Sequence, residues 1–272
     1  MSIGEINIVN NVLRVLVERK KIALCLSGIV GGTKGPDGAG DMVDVDIISN
    51  QYKKHIININ DVDVFIHSWS VNAENKLIEC YNPISYLFEP QIDFNNINVK
   101  RHGSSRTASN NFYSRFYSMK QSVDLKKQYE SNNNFEYDMV MISRLDLLWF
   151  TDINFEDYDN KYFYVSNWNH NGGGKFGPYD KTTKSGVGFL DFWFMSNSAD
   201  MNKFGFLYDS LTNDEEFKKL GESRGDGTYR LSGHVVTKRF SEMLKLDVKR
   251  TLFRGHDHEV FRRYNKHCGE EI

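Results

Sequence analysis

The chain has 272 residues, of which 40% are hydrophobic, including 19 Phe and 14 Tyr, enough to bury the core of one large domain. A formal net charge of −2 at pH 7 excludes a bulk electrostatic nucleic-acid binder, because no cationic excess exists to displace counterions from a phosphate backbone. No apolar stretch is long enough to span a bilayer and no signal-peptide core opens the chain, so a cytoplasmic location is expected, with Cys25, Cys80 and Cys268 kept as thiols.

In chain order, residues 1–20 carry an amphipathic pattern (Ile8, Val9, Val12, Leu13, Leu16, Val17) that predicts a helix on the domain's flank. The apolar run Ile22-Ala23-Leu24-Cys25-Leu26, stopped by Ser27-Gly28, reads as a strand buried on both faces. A Gly-rich loop over 28–42 follows, then a helix over 44–58 and a second core strand over 62–67. A weaker helix (72–80), a strand (84–88) and a polar loop (95–108) precede a long helix over 109–131, with Phe112, Phe116, Met119, Val123 and Tyr129 near helical spacing. The third core strand is 138–144. After it come a strand at 162–165, a second Gly-rich loop (NHNGGGKFGPYD) and a strand at 189–195. Helices at 198–210, 213–220 and 231–244 lead to a last strand at 247–252. Strands alternating with helices predict an α/β fold, a mainly parallel central sheet flanked by helices in one domain over 1–272.

In such folds ligands sit at the carboxyl ends of the strands. The three core strands end in Ser27-Gly28, His67-Ser68-Trp69 and Arg144-Leu145-Asp146. Neither Gly-rich loop is a phosphate loop: the first lacks the required spacing, and in the second Lys175 is followed by Phe176 rather than a hydroxyl. The dinucleotide fingerprint is also missing after the first strand. Both loops read instead as flexible flaps over a substrate. The charges of YDMVMISRLDLLWF, residues 137–150, need partners. Asp146 suits a divalent cation that neutralises a diphosphate, and Arg144 suits the phosphates themselves. The alternative is an internal Arg144–Asp146 pairing.

Taken in order, KIALCLSG, DVFIHSW, FYSRFYSMKQSVDLKKQYE, FEYDMVMISRLDLLWF and FLDFWFMSNSADMNKFGFLYD resemble small glycosyltransferases of the GT-A fold from large DNA viruses, phages and bacterial polysaccharide loci. The resemblance spans most of residues 21–210. It implies a nucleotide-sugar donor held by residues 21–150, a glycan or other hydroxyl acceptor held by 151–272, and a manganese or magnesium ion. Ser27 and Gly28 would contact the nucleotide, and His67, Ser68 and Trp69 the base or ribose. The family's Asp-x-Asp falls on Arg144-Leu145-Asp146, where Arg144 replaces the first acid and leaves metal dependence open.

Asp191 would face the reacting sugar, as general base if the reaction inverts the anomeric centre and as a positioning group if it retains it. Its alternative is a structural hydrogen bond. His234 is the candidate late metal ligand, or else a histidine in a capping turn. His256 and His258, on one strand face, form a second candidate metal pair or a solvated tail. Arg106, with Lys100 and Arg101, would meet the leaving diphosphate, and Arg115 would do so from the long helix or else cover its surface. Trp168 and Trp193 would stack on sugars or pack the core. The competing reading is a non-catalytic nucleotide- or sugar-binding module. A sulfotransferase would need a phosphosulfate loop, and none is found.

Overall fold

The computed structural model describes residues 19–34, 39–94, 106–167, 188–223, 225 and 229–261. The expected amino-terminal helix, Lys100, Arg101, Trp168 and the second Gly-rich loop lie outside them, as does the side chain of Arg106.

Strand β1 (Lys21–Gly28) is followed by a short antiparallel hairpin, β2 (Gly32–Lys34) and β3 (Ala39–Met42), inside the first Gly-rich loop. Helix α1 (Val45–Tyr52) starts at Asp44, whose side chain accepts from the amides of Asp46 and Ile47, and passes into a π-helical turn over Lys53–Ile57. Then come β4 (Asp61–Ser68), α2 (Glu74–Tyr81) and β5 (Ser85–Phe88). The long helix α3 runs Arg106–Asn133, three residues earlier at its start than its apolar spacing predicts. Beyond it lie β6 (Met139–Arg144), β7 (Leu147–Trp149), β8 (Phe163–Asn167) and β9 (Leu190–Ser196). The helix expected at 198–210 is divided at Phe206 into α4 (Ser198–Gly205) and α5 (Leu207–Thr212), and α6 is Asp214–Leu220. The small ribbon β10 (Glu222–Ser223) and β11 (Tyr229–Arg230) leads to α7 (Gly233–Met243), β12 (Val248–Phe253) and β13 (His258–Val260). No helix among the described residues is long and apolar enough to cross a membrane.

Seven strands form the main sheet in the order β12-β8-β9-β6-β1-β4-β5. Every pairing is parallel except those of β9, which runs against both β6 and β8. From β1 the chain steps outward to β4 and β5, then returns through α3 to place β6 on the other side. The β1–β6 junction is therefore a topological switch point, where a crevice opens beyond the carboxyl ends. Ladder register puts Ser27 beside both His67 and Arg144, so the three expected strand ends stand in one row. Because β9 is reversed, its amino-terminal end lies on this same rim. Asp191 sits two residues past the Trp193–Ser143 pair.

Alternate residues of β1 enter different halves of the core. Ile22, Leu24 and Leu26 pack with Ile48, Tyr52 and Leu77 of α1 and α2. Ala23 and Cys25 pack with Tyr113, Phe116 and Met119 of α3, and α4–α7 extend that layer through Phe204, Phe217 and Phe240. On α3, Ser114, Ser118 and Ser122 are buried at four-residue spacing and so share one face. Lys126, farther along, is also buried: its Nζ donates to Glu130 (2.8 Å), Ser198 (2.6 Å) and Asn202 (2.7 Å), tying α3 to α4.

The carboxyl-terminal part corrects one expectation. His258 is no solvated tail residue. It is 0% exposed, because β13 pairs with β7 and lays the ring among Trp149, Trp193 and Phe192. His256 sits before the strand in an exposed turn, with Nδ1 2.8 Å from Asp257, so the two imidazoles share no strand face. Trp193 is fully buried in the core and offers no sugar platform.

Candidate active site

A cleft of about 220 Å³ opens at the switch point. Its floor is Ser27 and Gly28 at the end of β1, with Arg144 and Asp146 beyond β6. Trp69 closes one side, while Asn111, Ser114 and Arg115 reach in from α3. Five of the residues expected to contact a nucleotide sugar thus meet in one cavity: Ser27, Gly28, Trp69, Arg144 and Asp146.

His67 and Ser68, grouped with them from the sequence, lie behind the wall. Both are 0% exposed. Ser68 turns its Oγ to the amide of Ser70 (3.1 Å). His67 belongs to a buried chain of hydrogen bonds. The Gly28 amide donates to Ser118 Oγ (2.7 Å), Ser118 Oγ lies 2.7 Å from His67 Nδ1, and His67 Nε2 lies 3.0 Å from Glu89 Oε1. A carboxylate at Glu89 accepts from Nε2–H, which leaves Nδ1 to accept the serine hydroxyl proton. Burial lowers the His67 pKa, although Glu89 opposes the shift, so the neutral ring this polarity needs is favoured. The chain holds Gly28 at φ +109°, a backbone conformation open to glycine.

Trp69 stacks on Tyr117 with centroids 5.3 Å apart and planes 24° apart. Its indole Nε1 has no hydrogen-bond partner among the described residues, although the side chain is 93% buried by its 7% exposure. Gln91 Nε2 donates to Ser114 Oγ (3.0 Å) on the same wall.

Arg144 and Asp146 form a two-pronged pair. Nε donates to Oδ1 at 2.7 Å and Nη2 to Oδ2 at 2.6 Å. The guanidinium also lies over Phe192, 5.3 Å from Cζ to the ring centroid. From behind, Tyr52 of α1 donates to the Arg144 carbonyl (2.6 Å) and so accepts from Ser143 Oγ (2.6 Å), which pins the end of β6. Burial works against the charged guanidinium, but Asp146 outweighs it and raises the Arg144 pKa. Thus the sequence alternative of an internal pair is realised on the wall of the shared cleft.

Asp191 joins three elements. Its Oδ2 is 3.0 Å from Arg115 Nε of α3, and its Oδ1 is 3.2 Å from His234 Nδ1 at the start of α7. Gly233 permits this approach, since a Cβ there would come within 2.6 Å of Oδ2. Burial alone would raise the Asp191 carboxyl, but Arg115, His234 and Arg144 hold it far below the usual carboxylate range. For His234, burial pulls the imidazole down and Asp191 more than reverses it, so the net shift is upward. A carboxylate held this way is a weak proton acceptor. Its geometry suits orienting Arg115 and His234 better than acting alone as a base. Two guanidiniums and two carboxylates balance, and a protonated His234 leaves the cluster cationic.

The divalent ion implied by the resemblance needs carboxylate oxygens free to coordinate. Each Asp146 oxygen already accepts a charge-assisted bond from Arg144, so an entering ion would share that carboxylate with a guanidinium at contact distance. His234 directs Nδ1 at Asp191. As arranged, Asp146 and His234 do not fit a divalent ion.

Arg115, for which cover of the helix surface was the alternative, lines the cleft and pairs with Asp191, while Ser118, Glu89, Gln91 and Tyr52 were not singled out by the sequence. The signal for the first of these was a row of serines at four-residue spacing, Ser114, Ser118 and Ser122, beside the apolar positions Phe116, Met119 and Val123. No protein-family model matches the chain, and no curated protein matches it either.

Proposed function

We propose that the chain is a glycosyltransferase on a GT-A-like scaffold, moving a sugar from a nucleoside diphosphate to a hydroxyl acceptor in the cytoplasm. The observation that carries this reading is the cleft at the β1–β6 switch point, where an aromatic wall at Trp69 faces guanidiniums at Arg144 and Arg115. A nucleoside suits the first, by apolar contact with the part of Trp69 that lines the cleft, and a diphosphate the second, by paired N–H donors. Ser27 and Gly28 lie between them. The acceptor would approach from the β9 side, next to Asp191 and His234. The reaction breaks the bond between the anomeric carbon and the diphosphate oxygen, forms one to the acceptor oxygen, and passes the hydroxyl proton to His234 in its neutral form, whose resulting imidazolium Asp191 stabilises.

Incubation with UDP-, GDP- and dTDP-sugars, with and without manganese, tests the reading by calorimetry and by release of the nucleoside diphosphate. Binding and hydrolysis or transfer of one of them is expected. Failure to bind any refutes it. A second reading, a binding module without turnover, is favoured by the ion pairs that occupy Asp191. It predicts binding without product and indifference of any activity to Asp191→Asn.

A further inference from the structure

We propose that the Arg144 guanidinium, clamped by Asp146, stands where a divalent ion would stand, and that the donor's diphosphate binds to Arg144 and Arg115 without metal. This rests on the donor-binding reading above and concerns only which cation meets the diphosphate.

Three features support it. First, the carboxylate is committed: both Asp146 oxygens are bonded to the same guanidinium, and Asp146 is only 3% exposed. An ion could displace Arg144 only by breaking a charge-assisted fork in a poorly screened place. Second, the guanidinium is fixed before any ligand arrives. Asp146 holds one edge, Phe192 covers a face, and Tyr52 anchors the backbone carbonyl of the same residue. A cation so held loses little freedom on binding. Third, the clamp leaves donors to spare. Nε–H and one Nη2–H serve Asp146, while the Nη1 pair and the outer Nη2 hydrogen have no acceptor among the described residues. Arg144 is 20% exposed and lines the cleft with Arg115, so planar N–H donors border the space beside Gly28. Planar donors match phosphate oxygens with a directionality that an ion lacks.

The test is calorimetric titration of the full chain with UDP, GDP and dTDP, once in EDTA and once in saturating manganese, with manganese binding also followed by its paramagnetic resonance signal. The expected result is one diphosphate bound with affinities that agree within about threefold in the two conditions. Arg144→Lys, which keeps charge but loses the fork, should weaken that diphosphate at least tenfold while weakening the parent nucleoside less than threefold. The nucleoside arm separates a lost phosphate contact from a damaged fold. Binding only with manganese, or tenfold tighter with it, overturns the inference and leaves the transferase reading standing. Unchanged diphosphate affinity in Arg144→Lys also overturns it. If no diphosphate binds in either condition, the functional reading itself fails and the inference falls with it.

Discussion

His258 provides a quantitative test of the carboxyl-terminal ribbon. Its ring is 0% exposed, bonded through Nε2 to Ser166 Oγ (2.7 Å) and surrounded by aromatic rings. Burial drives its pKa down from 6.5 to about 3, with Asp257 opposing the shift and Arg254 adding to it. The unfolded chain binds this proton below pH 6.5 while the folded chain refuses it until about pH 3, so stability is present above the unfolded value and is lost as pH falls. Between pH 7.5 and 4.5 the loss from this group is about 3 kcal/mol, rising toward about 5 kcal/mol below the folded value. Other groups titrate over the same range, so the measurement is a difference. Urea unfolding of the wild type and His258→Gln, followed by far-ultraviolet circular dichroism at both pH values, isolates it. The variant should be less stable at pH 7.5, yet lose about 2–3 kcal/mol less on acidification. Equal losses in the two proteins would refute the reasoning.

Removing the Lys126 ammonium leaves Glu130 buried without its cation, so Lys126→Met should cost about 3–5 kcal/mol in denaturant unfolding. Lys126→Met with Glu130→Gln should recover part of that loss, and a double variant no better than the single one would contradict the account. At Gly188 a Cβ would overlap the backbone carbonyl of His234, so Gly188→Ala must shift the start of α7. A loss of about 3 kcal/mol is expected from thermal unfolding; an unshifted midpoint would show that the approach is looser. Tyr52→Phe removes the hydroxyl that serves both Ser143 and the Arg144 carbonyl, and should cost about 1–3 kcal/mol. Ser118→Ala strips a partner from Gly28 and from His67 at once and should cost a similar amount, about 1–3 kcal/mol, with faster amide exchange at Gly28.

Much of the scaffold was legible because β1, β4 and β6 are apolar on both faces, and unbroken runs of that kind announce central parallel strands. The polar ends of those runs likewise pointed to the cleft, since register aligns Ser27, His67 and Arg144 whenever the three strands are neighbours. Strand direction was not legible. The apolar run Phe189–Met195, broken only by Asp191, reads the same in either direction, so nothing local showed that β9 is reversed. The β7–β13 ribbon escaped for a different reason: Leu147–Trp149 and His258–Val260 are too short to hold alone and are strands only because they find each other across the chain. Nor could His67 and Trp69 be separated, because residues two apart share a strand face and their rings touch, 4.8 Å between centroids; only the buried bonds to Ser118 and Glu89 draw the imidazole away from the cleft. Lys126 and Lys127 look alike in composition, and helical phase together with the packing of α4 leaves one buried and the other exposed.

The serine face of α3 has a consequence for how deep the crevice is. Hydroxymethyl groups at 114, 118 and 122 are short, so a helix of 28 residues can ride low over β1 and β4. That height carries Asn111 and Arg115 down toward the strand tips. A bulkier residue at position 122, remote from every wall of the cavity, would act as a shim under the helix and make the crevice shallower or wider without altering a single group that a ligand touches.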